Sequence, residues 1–163
     1  MSDKEQKILA YIEKNARVDL SELSIMLGID EAEIVETLSD LERRQVICGY
    51  MALVNWEKAG IEKVSAMIEV RVTPQRGMGF DRVAQKIYNY PEVQSVYLIS
   101  GGFDLMVTLE GKTLLEVARF VSEKLSTLEY VMSTKTNFIL KKYKDHGTIM
   151  EKTKSDERAK VWL

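Results

Sequence analysis

The 163-residue sequence is short of the residues most metal and redox sites need: it has one cysteine, Cys48, and one histidine, His146. A single cysteine excludes an internal disulfide and a cysteine-cluster metal site. A single histidine leaves little for a histidine metal site or a catalytic triad. No nucleophile–base pair and no phosphate-cradling loop is evident, so the expectation is no catalytic residue, no metal and no cofactor. The apolar runs fall short of the ~18 residues of a membrane span. Met1–Lys7 is charged and has no signal-peptide core. The expectation is a cytoplasmic chain with no membrane partner. Net charge is only −2, so no global basicity points to nucleic acid. What remains is ordinary globular composition, 45% hydrophobic and 29% charged, in a length that suits one large domain or two small ones.

Charge and periodicity both change near residue 60. Residues 1–60 hold 7 Lys/Arg and 12 Asp/Glu, whereas 61–163 hold 16 and 13. The first part reads as three helices. Ile8, Leu9 and Ile12 form an apolar stripe, with Asp3 and Gln6 as a loose start signal. Leu20, Leu23, Ser24 and Leu27 repeat the spacing, with Asp19 and Glu22 as a cap. Gly28 suits a left-handed helix end. Asp30 caps a third helix with Glu33 at the reciprocal position, and Ile34, Val35, Leu38 and Leu41 face inward. Two helices around a short Gly turn make a helix-turn-helix. Val46–Val54 reads as extended chain.

The second part alternates strand and helix. Val64, Ala66, Ile68, Val70 and Val72 alternate with Ser65, Met67, Glu69 and Arg71, so one strand face is buried. A turn is expected over Pro74–Gly79. A helix on Phe80, Val83, Ala84 and Ile87 follows, and then a strand over Val93–Ser100. Gly101-Gly102 marks a turn whose glycines supply positive φ, and a strand over Leu105–Leu109 returns. Thr113 and Glu116 cap a helix with Leu114, Val117, Ala118, Val121 and Leu125 inward, and Val131–Lys142 is the last strand. The order is β-α-β-β-α-β, the ferredoxin-like arrangement. The fold class is therefore α+β: an N-terminal helix-turn-helix over 1–60 with its linker, a ferredoxin-like domain over 61–144, and a loosely ordered polar tail over 145–163. Two helices cover one face of such a sheet, so the open faces of two copies are expected to pair in a dimer.

Three segments in this order resemble the Lrp/AsnC family of bacterial and archaeal regulators. Leu41-Glu42-Arg43-Arg44-Gln45-Val46-Ile47-Cys48-Gly49-Tyr50 resembles the close of its DNA-binding domain. Ser100-Gly101-Gly102-Phe103-Asp104-Leu105 resembles its Gly-rich hairpin, and Ser133-Thr134-Lys135-Thr136-Asn137-Phe138 its final strand. The resemblance runs from about residue 3 to 144. It implies a winged-type helix-turn-helix on double-stranded DNA, and a regulatory domain that dimerises through its sheet, with dimers often assembling into octamers or related rings. It also implies an amino-acid effector bound between dimers. One stretch departs from the family pattern: Glu36 and Thr37 stand where arginines are typical. Leu20 to Glu42 holds seven acidic residues and no Lys or Arg, which weakens the counterion-release term that drives DNA binding.

These readings name the candidate residues. Glu33, Glu36, Thr37, Arg43 and Arg44 are the candidate DNA contacts, although capping also explains Glu33. Ser100, Gly101, Gly102 and Asp104 are candidate effector contacts, with amides for a carboxylate and Asp104 for an ammonium; a plain tight turn explains the same residues. Asp104 lies in that turn, so its loss is expected to spare the fold. Thr134 and Thr136 add hydroxyls on one strand face, a pattern that β propensity also explains. The scattered methionines, Met78 among them, are expected as core or interface filler, Cys48 as a buried apolar residue and His146 as solvated. The leading function is an effector-responsive DNA-binding transcriptional regulator. The alternative is an oligomeric metabolite-binding protein whose acidic helix-turn-helix has weakened or lost its hold on DNA.

Overall fold

The computed structural model describes residues 1–73 and 79–150. The chain forms two units, the first Met1–Val54 and the second starting at Asn55. In the first, α1 (Asp3–Ile12), α2 (Leu20–Leu27) and α3 (Glu31–Arg43) each bring one fully buried residue, Ile8, Leu23 and Ile34, to a shared core. Asp19 accepts from the Glu22 N–H at 3.1 Å and Asp30 from the Ala32 N–H at 2.9 Å, so both caps form as expected. The start of α1 differs. Ser2, not Asp3, is its N-cap, in a reciprocal box with Glu5, because only that pair sets a hydroxyl and a carboxylate three residues apart. Gly28 at φ 65° closes α2, as expected. Gln45 at φ 57° closes α3, where the Val46 and Ile47 N–H groups both reach the Leu41 carbonyl. Val35, expected inward, is exposed, since it lies about 100° around the helix from Ile34. No strand forms between α3 and β1. Cys48 is exposed, not buried as expected, because it lies in this irregular stretch outside the helical core.

The second unit holds β1 (Val64–Val72), α4 (Asp81–Tyr88), β2 (Val93–Leu98), β3 (Leu105–Gly111), α5 (Leu114–Arg119) and β4 (Val131–Ile139). All pairings are antiparallel, in the order β2-β3-β1-β4, so the ferredoxin-like arrangement stands. Ala66, Ile68, Val70 and Val72 of β1, with Leu105, Val107 and Leu109 of β3, pack under Val83 and Ile87 of α4 and Val117 of α5. After α5 the helix widens into a π-type turn, Phe120–Leu125, in which the Ser126 N–H bonds to the Val121 carbonyl. This changes the expected face. Leu114 and Ala118 are exposed, while Phe120 and Leu125, five apart, are both buried. A regular helix does not put that spacing on one face, but i→i+5 bonding does. Phe120 meets Tyr90 edge-to-face with centroids 5.4 Å apart.

The expected turn at Pro74–Gly79, with Met78, falls mostly outside the described residues, as does the chain beyond Met150. Residues 145–150 are ordered where a loose tail was expected. β5 (Lys144–Asp145) and β6 (Thr148–Ile149) pair across the left-handed His146-Gly147 turn. The Met150 N–H bonds to the Tyr143 carbonyl, and the Met150 carbonyl accepts from the Asn55 side chain. His146 is exposed, with Nδ1 2.9 Å from Asp145.

Asp104 has a structural task as well. Its N–H donates to the Val70 carbonyl at 3.0 Å, and its Oδ2 accepts from the Val72 N–H at 2.8 Å, continuing the β1–β3 ladder past its last residue pair. The expectation that its loss spares the fold is therefore corrected: Asp104→Ala leaves the part-buried Val72 N–H without an acceptor. A loss of about 1–3 kcal/mol is predicted, read as a lower urea midpoint with an unchanged slope.

Candidate functional site

α3 presents one solvent face. Ala32, Glu36, Ser39 and Arg43 recur at helical spacing opposite buried Ile34, and all four are exposed. Of the five candidate DNA contacts, Glu36 and Arg43 stand on this face, and the other three are engaged within the unit. Glu33 pairs with Lys4 of α1. Thr37 is half-buried and donates to the Glu33 carbonyl at 2.7 Å. Arg44 bridges Glu5 and Asp40, with its Nε 2.7 Å from the Asp40 carboxylate. The Arg43 pair with Asp40 is different in kind, because the Arg43 side chain stays 78% exposed and an exposed pair costs little to break.

Four of the six Lys and Arg residues of Met1–Val54, namely Lys4, Lys7, Arg43 and Arg44, are thus matched to carboxylates of the same unit. The Asp40–Arg43 and Asp40–Arg44 spacings were visible in sequence as i,i+3 and i,i+4 pairs. Lys4–Glu33 and Glu5–Arg44 join residues of different helices, and no local signal carries them.

The second candidate region is the hairpin between β2 and β3, closed by the Ile99 N–H on the Asp104 carbonyl at 2.8 Å. Ser100, Gly101, Gly102 and Asp104 share this turn. Contrary to expectation, neither Gly101 nor Gly102 has a positive φ; the turn closes without left-handed residues at those positions. A Cβ at Gly101 would meet only the Ile99 side chain at 3.5 Å, and one at Gly102 would meet nothing within 4 Å. The fold of this subunit therefore requires neither glycine. Thr134 and Thr136 lie apart from the turn. They pair with Val70 and Ile68 on the helix-covered face of β4, across β1 from the hairpin, and Thr134 Oγ1 lies 3.2 Å from Ser126 Oγ.

The opposite face of the sheet carries no helix. Tyr97, Met106, Glu69 and Lys135 form one cross-strand row, and Ser95, Thr108, Met67 and Asn137 the next. Lys135 at 3.0 Å and the Asn137 amide at 3.1 Å hold the Glu69 carboxyl below its ordinary range, Lys135 contributing most. Polar groups of this face are paired with one another, while Met67 and Tyr97 stay exposed. At the far end of β3 a cleft of about 230 Å³ lies over Leu109, Val117 and Phe120, rimmed by carboxylates and by Arg119 and Lys124. Among the described residues no cluster of three metal-ligating side chains forms, and no helix is long and apolar enough to cross a membrane.

Glu5 makes the first unit sensitive to acid. The Ser2 N–H and then the Arg44 guanidinium hold its carboxyl below the ordinary 4.5. A depressed folded-state value adds stability that is present above pH 4.5 and lost as the pH falls through the lowered value. Glu5→Gln is predicted to be less stable than the parent near neutral pH and to lose less on acidification to about pH 3, read by thermal unfolding across a pH series.

Residues 65–149 match the family described as the Lrp/AsnC ligand binding domain. The uncharacterized HTH-type transcriptional regulator YugG of Bacillus subtilis is 48% identical, with 99% of this chain and 98% of that protein covered. A proline dehydrogenase transcriptional activator of Rhodobacter capsulatus is 28% identical over 80% of this chain and 84% of its own. Among solved structures, a transcriptional regulator of Neisseria meningitidis in complex with L-Met superposes with a TM-score of 0.70 at 23% identity, covering 89% of this chain and 93% of that one. These relatives are regulators and not enzymes. A helix-turn-helix head followed by this sheet, with full-length similarity to such regulators, makes the chain a member of the Lrp/AsnC family of effector-responsive, DNA-binding transcriptional regulators.

Proposed function

We propose that this regulator responds to an amino acid held at the Ser100–Asp104 hairpin, and that it acts on DNA through several weak heads joined in one sheet-paired oligomer. The glycine pair is the observation that carries the effector reading. Neither φ nor packing asks for glycine at 101 or 102, and two bare backbone amides admit a carboxylate that a side chain would hold off. Asp104 spends Oδ2 on Val72, and Oδ1 is the acceptor for an ammonium. A zwitterion needs both ends. The L-Met complex of the Neisseria regulator supports the same ligand class.

Sheet pairing follows from the uncovered face, where Met67, Met106 and Tyr97 stand among polar groups already satisfied within the sheet. Dimers of this kind assemble further toward octamers, and every added subunit brings another head. That matters because each head carries six Lys and Arg against eleven Asp and Glu and ties Lys4 and Arg44 to its own carboxylates, so a single head releases few counterions on binding. Linked heads compensate through effective concentration.

Calorimetry of the full chain against the common amino acids tests the effector. At least one is predicted to bind, and Gly101→Ala to weaken it at least tenfold, about 1.4 kcal/mol. The same substitution leaves stability unchanged or raises it by up to about 1 kcal/mol. Asp104→Ala is a poorer probe, because it also removes the Val72 bond. Unaltered affinity in Gly101→Ala would take the glycine pair out of the site, and binding of no amino acid would refute the ligand class.

Assembly has its own test. Light scattering at micromolar concentration is predicted to give a dimer or larger, and Met67→Glu to give monomers. A monomeric parent protein contradicts sheet pairing.

A further inference from the structure

The outward row of α3 carries one carboxylate that nothing in the head answers. Glu36 lies about 200° around the helix from Ile34 and is exposed. Among the described residues no cation pairs with it, whereas Glu33 is held by Lys4, and Asp40 by Arg43 and Arg44. Its neighbours on the row, Ala32 and Ser39, are small and uncharged, so the carboxylate stands clear at the centre of the face.

A helix-turn-helix lays its second helix in the major groove, with the N-terminal half against base edges. An ionised carboxylate only accepts hydrogen bonds. Guanine shows it N7 and O6, both acceptors, and thymine shows O4 and a methyl group. Adenine donates from N6 but sets the N7 lone pair against the second carboxylate oxygen. Cytosine donates from N4 and has no acceptor beside it on the same base in that groove. We propose that Glu36 is a sequence-reading residue that selects cytosine through its N4 amine, so that the charge which weakens general DNA affinity sharpens choice among sites. Ala32 stands one turn away, about 6 Å along the axis. That lies within two base steps of about 3.4 Å, where its methyl fits a thymine methyl. The inference rests on the reading of this protein as a DNA-binding regulator and adds the base its head prefers.

Selection of duplexes from a random library by the full-length protein at low salt tests it, with Glu36→Gln and Glu36→Ala beside the parent. The parent is expected to favour C·G by about 5- to 150-fold at one position of each half-site. Glu36→Ala makes that position indifferent. Glu36→Gln moves it toward adenine, since a glutamine amide matches N6 and N7 together. A preference that persists in Glu36→Ala, a parent preference with no cytosine position, or duplexes retained without any preference each overturns the proposal while leaving the regulator reading in place. If the parent retains no duplex even at low salt, the DNA-binding reading itself fails, and the proposal with it.

Discussion

Arg44 sits between two carboxylates, Glu5 on α1 and Asp40 on α3, and that bridge governs much of what the head can do. It ties the first helix to the last, and it draws the guanidinium away from any phosphate. Lys4 on Glu33 repeats the pattern between the same two helices. The head thus answers two of the five α3 carboxylates, Glu33 and Asp40, with its own cations, at the expense of groups that DNA binding uses. Eleven Asp/Glu against six Lys/Arg in Met1–Val54 leave its field negative whichever way the pairs are drawn. On the proposed reading, affinity for DNA comes from several heads joined in one assembly.

The ferredoxin-like unit supplies the means. Two helices cover one face of a four-stranded sheet and leave the other, with Met67, Met106 and Tyr97, uncovered, the face proposed to pair subunits. The hairpin at one end of that sheet belongs to the same scaffold: Asp104 extends the β1–β3 ladder, so the turn proposed to meet an effector is fixed to the strands proposed to pair subunits. On that proposal an effector would act on an element tied to the sheet and not on a loose loop. That would be a physical route from ligand to the number of heads held together.

Much of this was legible in the residues. The three-helix head, the Gly28 break, the Asp19 and Asp30 caps and the order of strands and helices follow from spacing and local chemistry alone. What escaped was tertiary or turned on phase. Asp104 bonds to a backbone N–H 32 residues away, which no local pattern shows. Leu114 and Ala118 lie off the face set by Val117 and Phe120, and the π-type turn that follows brings Leu125, five residues past Phe120, onto that face. Gly101 and Gly102 were assigned a left-handed backbone that the turn does not use. Of the candidate DNA contacts, sequence could not separate exposed Glu36 and Arg43 from Glu33, Thr37 and Arg44, since their partners sit on α1 or on the α3 backbone.

The central claim is that one head binds weakly and linked heads bind well. It is tested most directly by titrating the full-length protein onto random-sequence duplexes of about 15 and about 60 base pairs over a salt series. The account predicts weak binding with a shallow salt slope on the short duplex. On the long one it predicts a gain of at least about a hundredfold, well beyond the larger number of registers, with a steeper slope. Tight, steeply salt-dependent binding to the short duplex, with no more than a proportional gain on the long one, would contradict it.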